Sequence, residues 1–269
     1  MVYNNTRRED DFMKILLIGD IVGNVGVKKV KQELNKLKEK ENIDFIIANG
    51  ENSAEGMGIT TKIYNELINC GVDAITMGNH TWGKREIFSI IDNKNLIRPA
   101  NYPKDVPGNG YGVFNCKNKK IAVISLLGRV SMGVLPENPF IIGKEIVENL
   151  KNKADYIFID FHAEASAEKI ALGYYLDGKA TCVFGTHTHV QTADETILEK
   201  GTAYITDIGM TGPAKSVIGM DIEASIKRFV TTLPERYKVS QCNETSLCGC
   251  IVEIDENVNK VVNIKRIKV

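Results

Sequence analysis

The sequence predicts one α/β domain built on mixed sheets, and three observations point there. Short apolar runs of strand length alternate with segments whose apolar residues recur at helical spacing. Two pairs of such runs are separated only by polar, turn-forming residues, as in hairpins. The 269 residues are 43% hydrophobic and 25% charged, with no internal repeat, low-complexity tract or Pro/Ser-rich linker to divide them.

In chain order, Lys14–Ile18 reads as a buried strand, followed by a turn carrying Gly19, Gly23 and Gly26. A helix near Val27–Glu41 follows, because Val27, Val30, Leu34 and Leu37 share one face. Phe45–Ala48 is a second strand, Thr61–Cys70 a helix, Ala74–Met77 a third strand and Lys84–Ile91 a further helix. This alternation implies parallel strands joined by right-handed crossovers. Tyr111–Asn115 and Ile121–Leu127 flank Cys116–Lys120 as a hairpin. Alternation resumes with a strand at Tyr156–Asp160, a helix near Ala167–Leu176 and a strand at Thr181–Phe184. Thr196–Leu198 and Ala203–Thr206 form a second hairpin. A helix near Asp221–Thr231 and two final strands, Cys250–Ile254 and Val261–Ile267, complete the chain. Residues 1–12 are polar and precede Met13, so they read as a tail or an upstream-start artefact, and 13–269 as the single domain.

Charge narrows the function. With 34 basic and 34 acidic residues the net charge is zero, so no basic field recruits nucleic acid or membrane surface. An anionic substrate must be attracted locally. No run approaches the roughly 20 apolar residues of a membrane span, and no apolar signal segment is visible at the N-terminus. The six cysteines lack CxxC spacing, and Cys248 and Cys250 share one strand face as small core residues. These features suit a reducing cytoplasm.

The polar residues that follow the strands carry the functional signal. All four histidines, at 80, 162, 187 and 189, come within a few residues after an apolar run. Asp20 ends the first strand and Glu51-Asn52 follow the second, while Asn79 precedes His80. Ligands of open α/β sheets bind outside the carboxyl ends of the strands. Remote segments therefore deliver carboxylate, amide and imidazole groups to one rim. In an extended His187-Thr188-His189 both rings face one side, and imidazole with hard oxygen ligands suits Fe, Mn or Zn. Taken singly, Asp20 could cap a helix and Asn52 or Asn79 could serve a turn; Glu51 has no such role.

Together the strings LLIGDIVG, NGENSAEGMGIT, TMGNHTWGKREI, DFHAEASAEK and GTHTHVQTADE resemble the calcineurin-like metallophosphoesterases, and within them the YmdB family. The resemblance covers Met13 to about Met220, and the C-terminal strands more weakly. It implies a calcineurin-like four-layer α/β/β/α sandwich with two mixed sheets, which the alternation alone does not separate from a doubly wound single sheet. It also implies a 2′,3′-cyclic-nucleotide 2′-phosphodiesterase with two divalent transition-metal ions per chain, Fe or alternatively Mn. Asp20, Asn52 and His189 would hold the first ion, Asn79, His162 and His187 the second, and Glu51 would bridge them. His80 would be the proton donor, not a ligand. A water shared by two such ions has its pKa lowered from 15.7 toward about 7, so the expected nucleophile is a bridging hydroxide. The wider superfamily's GDxH histidine is absent, since Ile21-Val22 follow Asp20, and its bridging Asp is Glu51; both departures belong to this branch. Expected partners are a small phosphodiester or an RNA end, and a homo-oligomer is compatible with the sequence. Gly209–Pro213 reads as either a wall beside the substrate or a plain turn.

Two other readings compete. Gly19, Gly23 and Gly26 give GxxxGxxG rather than the GxGxxG of a Rossmann nucleotide site, and that reading leaves the histidines unexplained. A regulatory protein binding a nucleotide or RNA end without turnover would have no use for both His80 and Glu51.

Overall fold

Strands buried on both faces organise the chain into two packed sheets. The computed structural model describes residues 11–236 and 238–269. In β1 (Phe12–Ile18), Leu16 and Ile18 pack on one side among helix residues, while Met13, Ile15 and Leu17 pack on the other among strand residues. β3 (Phe45–Asn49) divides likewise, with Ile46 and Ala48 toward helices and Phe45 and Ile47 toward the second sheet. Apart from the small Ala48, each of these side chains contributes roughly 1.5–3 kcal/mol on burial. Two-sided burial explains why these strands read as unbroken apolar runs.

β1, β3, β4 (Ala74–Thr76) and β5 (Leu96–Ile97) run parallel. On the other side of β1 lies antiparallel β13 (Thr245–Asp255), which also pairs with β14 (Lys260–Lys268). The first residues of β13 pair with β12 (Met210–Pro213), whose parallel neighbour is the two-residue β2 (Asp20–Ile21). The second sheet has the order β10 (Thr196–Ile197), β11 (Ala203–Ile205), β9 (Cys182–Thr186), β8 (Tyr156–His162), β7 (Lys119–Leu127) and β6 (Tyr111–Cys116). Its four central strands are parallel and its two edges antiparallel. α1 (Gly23–Glu41) and α2 (Thr61–Asn69) cover the first sheet, and α3 (Pro139–Leu150) and α4 (Ser166–Tyr175) the second. The result is the expected α/β/β/α sandwich with two mixed sheets. α5 (Ile222–Thr231) attaches outside these layers, with only Ser225 buried.

Several expectations are refined. β1 begins at Phe12, which pairs with Asp255, and the Asp11 carbonyl accepts from the Glu256 amide (3.0 Å), so both belong to the fold; residues 1–10 of the expected tail lie outside the described residues. The expected helix at Lys84–Ile91 is a 3-10 turn over Arg85–Ser89. There the Ser89 hydroxyl donates to the Glu86 carbonyl (2.7 Å), a local bond that competes with the α-helical ladder. α3 was not anticipated, although Asn138 caps it by accepting from the Phe140 amide (2.9 Å) and Pro139 opens it. Gly209–Pro213 is not a turn: Met210–Pro213 is β12, with Met210 in register beside Asp20. All six cysteines are free thiols. Among the described residues no helix is long and apolar enough to cross a membrane.

Candidate metal centre

The carboxyl ends of β1, β3, β4, β8 and β9 meet at one rim, and all eight candidate residues lie there. Asp20 begins β2, Glu51 and Asn52 follow β3, Asn79 and His80 follow β4, His162 ends β8, and His187 and His189 follow β9. Asp20, Glu51 and His162 are fully buried and Asn52 is 3% exposed. Such polar groups are tolerable inside only when paired or ligating.

Glu51, His162 and His187 each offer a ligand atom within 4.8 Å of the others, a spacing one cation can span. Glu51 Oε1 lies 3.0 Å from His162 Nε2. That same nitrogen is 3.0 Å from Asn79 Oδ1 and 3.0 Å from His187 Nδ1. On the other flank His189 Nε2 is 3.0 Å from Asn52 Nδ2 and 3.7 Å from Asp20 Oδ1. Asp20 Oδ2 accepts from the His187 amide at 3.1 Å. His80 sits at the mouth with its side chain 32% exposed. Its amide donates to Glu51 Oε2 (3.0 Å) and its Nδ1 lies 2.8 Å from Asn52 Oδ1, which leaves Nε2 directed away from these two residues' oxygens.

Glycine makes this crowding feasible. A Cβ on Gly78 would fall 2.3 Å from His162 Cδ2 and 2.4 Å from Glu51 Oε2. A Cβ on Gly19 would fall 2.0 Å from the Gly209 carbonyl oxygen. Any other residue before Asn79 or Asp20 would displace the groups that follow it.

His187-Thr188-His189 converges as expected, but not as an extended strand. β9 ends at Thr186, and both histidines have positive φ, 97° and 66°. Left-handed backbone is costly for non-glycine residues and persists when its surroundings fix it. Here Asp207 Oδ2 accepts from the Thr188 amide (3.1 Å) and hydroxyl (2.7 Å). The same oxygen accepts from the ammonium of Lys169 (2.7 Å), which also donates to the Thr186 carbonyl (2.7 Å). Two outer bonds then aim the rings. His189 Nδ1 donates to the Ile218 carbonyl (2.8 Å), which can only accept, so Nε2 faces inward with its lone pair. His187 Nε2 lies 3.2 Å from Glu164 Oε2, which leaves Nδ1 for the centre.

The buried charges shift one another. Burial disfavours the His162 imidazolium, but Glu51 beside it and then Asp20 and Asp160 outweigh this and raise it to about 9. Burial and then the His162 charge lower His187 to about 3. Glu51 is buried, which favours its neutral acid, yet His162 and His80 hold it well below the usual carboxylate range. Burial pushes Asp20 up, against His189 and His162.

Sequence reading missed the supporting residues Asp160, Glu164, Lys169 and Asp207. One signal was available: Asp160 interrupts the apolar run of β8, where a charge on a fully buried strand has no solvent to meet.

A family model described as "YmdB-like protein" matches residues 16–267. A protein from Bacillus subtilis named 2′,3′-cyclic-nucleotide 2′-phosphodiesterase is 53% identical, over 95% of this chain and 96% of its own. A crystal structure described as a novel phosphatase from Mycoplasma pneumoniae superposes with a TM-score of 0.90 at 40% identity, covering 96% of this chain and 93% of that one. The NAD nucleotidase of Haemophilus influenzae shares the fold at a TM-score of 0.63 and 13% identity, covering 96% of this chain and 55% of that one.

Proposed function

The chain belongs to the YmdB-like protein family, and on that premise we propose that it is a metal-dependent phosphodiesterase opening 2′,3′-cyclic nucleotides at the 2′ oxygen. The observation that carries this reading is the convergence of buried Glu51 and His162 with half-buried His187, which suits a resident cation better than any packing role. The donor set fits two divalent transition ions, because imidazole and carboxylate together suit Fe or Mn. Asp20, Asn52 and His189 would hold one, Asn79, His162 and His187 the other, and Glu51 would be shared. When bound, such a pair supplies Lewis acidity, which activates water and offsets phosphate charge.

The remaining chemistry belongs to the chain. Asp20 and Glu51 are the two carboxylates of the centre, so with two divalent ions held there it would keep a net positive charge, which would attract a phosphate to a protein of zero net charge. His80 is the proton donor: Nδ1 is anchored against Asn52 Oδ1, and Nε2 hands its proton to the departing 2′ oxygen. The P–O2′ bond breaks, a water-derived oxygen joins phosphorus, and a nucleoside 3′-phosphate leaves. General-acid help of this kind is worth about 10²–10⁴ in rate. The free thiols fit a reducing compartment, and we place the enzyme in the cytoplasm.

The test is hydrolysis of 2′,3′-cyclic AMP by protein reconstituted anaerobically with Fe²⁺ or Mn²⁺, with product analysis against monoester and RNA controls. 3′-AMP is the expected product. Protein that binds metal but turns over none of these would instead be a regulatory nucleotide binder.

A further inference from the structure

Beneath the centre lies a buried carboxylate that the proposed reaction does not use. Asp160 is fully buried on β8, two residues before His162. Its Oδ2 accepts from Asn49 Nδ2 (3.0 Å) and the Thr76 hydroxyl (2.5 Å), and its Oδ1 from the Thr186 hydroxyl (2.6 Å). Asn49 cannot be turned to reverse its bond, because its Oδ1 accepts from the Glu51 amide (3.2 Å). Three donors thus converge on a carboxylate that offers none in return.

That accounting fixes a proton. Thr186 has one hydroxyl hydrogen, and Asp160 takes it. The Thr186 oxygen, 2.8 Å from His162 Nδ1, can then only accept. His162 donates from Nδ1, so a cation that displaces one ring hydrogen displaces the one on Nε2. Nε2 is also the atom that faces Glu51, Asn79 and His187.

We propose that Asp160 is a positioning residue which, through the Thr186 hydroxyl, fixes His162 as its Nδ1–H tautomer and so presents Nε2 to a cation. Partners of this outer kind hold metal-binding imidazoles in place, and losing one typically weakens metal affinity about 10- to 100-fold. The same carboxylate ties Asn49, Thr76 and Thr186, from β3, β4 and β9, so one buried group registers three of the strands that deliver ligands. The inference deepens the metal-centre reading and rests on it for its consequence, but not for the hydrogen-bond pattern itself.

Two measurements decide it. In Zn²⁺-loaded protein labelled with ¹⁵N-histidine, long-range ¹H–¹⁵N correlation reads the tautomer of His162 directly. Nδ1–H is expected in the wild type; Nε2–H would overturn the proposal. Mn²⁺ titration then compares Thr186→Val, which removes the hydroxyl at nearly constant size, with Thr186→Ser, which keeps it. Thr186→Val should weaken one of two sites about 10- to 100-fold, and Thr186→Ser should bind within a few-fold of wild type. Equal Mn²⁺ affinity in wild type and Thr186→Val would overturn the relay. Failure of the wild type to bind either ion would overturn the metal centre and this proposal with it, whereas a bound ion with His162 as its Nε2–H tautomer would overturn this proposal alone.

Discussion

Replacing Lys169 with Met tests what holds the His187-Thr188-His189 loop in its left-handed backbone. The Lys169 ammonium is 1% exposed and touches Asp207 Oδ2 and the Thr186 carbonyl oxygen, each at 2.7 Å. Met preserves most of the side chain's volume but removes the charge. Asp207 would then be a buried carboxylate without its cation, although the Thr188 amide, the Thr188 hydroxyl and the Gly209 amide (2.8 Å) still donate to it. Breaking a buried ion pair from one side costs about 3–5 kcal/mol, and the three surviving donors argue for the lower end, about 3 kcal/mol. For a chain of this size each kcal/mol lowers Tm by about 2–4 °C, so Tm should fall by about 6–12 °C. Urea unfolding of wild type and variant, with m unchanged, measures the loss directly. A loss below about 1 kcal/mol, within the range of an exposed ion pair, would refute the claim that this pair is the loop's anchor.

Three further outcomes are expected. His80→Ala should lower kcat by about 10²–10⁴ with metal content unchanged; joint loss of both would make His80 a ligand. Gly78→Ala puts a methyl 2.3 Å from His162 Cδ2 and 2.4 Å from Glu51 Oε2, so it should lower metal content while leaving the strands intact by circular dichroism; full metal occupancy would contradict the crowding described. Cation uptake should strengthen with pH, because Glu51 and its neighbours hold His162 protonated to about 9 and a ligand must shed that proton. Without added metal the sign reverses: with a folded pKa above its ordinary 6.5, His162 gives stability that is complete below pH 6.5 and lost as pH rises to about 9. Mn²⁺ titrations between pH 6.5 and 9, with melting curves alongside, check both, and flat profiles would refute the coupling.

The sequence made the rim legible because each strand announces itself as an apolar run and each candidate residue follows one. Asp20, Glu51, His162 and the HxH pair could be placed from that rule alone, and the structure brings them together with Asn52, Asn79 and His80. The separation into two sheets was not legible from periodicity, since a strand buried on both faces looks the same whether helices or a second sheet cover it. The family resemblance supplied that distinction. β2, β5 and β12 escaped notice because each is two to four residues long and set among Gly, Pro or charged residues (Gly19-Asp20, Arg98-Pro99, Gly209, Gly212-Pro213) that read as turns. The 3-10 turn at Arg85–Ser89 was misread because its apolar spacing is also that of a helix, and the Ser89 side-chain bond to the Glu86 carbonyl is a competitor that spacing does not show. The HxH geometry was anticipated for the wrong backbone: convergence comes from positive φ held by Asp207, a partner 18 residues beyond His189 that spacing cannot reveal.

The account stands or falls on two cations between side chains drawn from five strand ends. Anomalous scattering from crystals of the Mn²⁺-loaded protein tests this most directly. Two peaks are expected per chain, one against Asp20, Asn52 and His189 and one against Asn79, His162 and His187, with Glu51 touching both. A single peak, peaks elsewhere, or undiminished peaks in Glu51→Ala would contradict it.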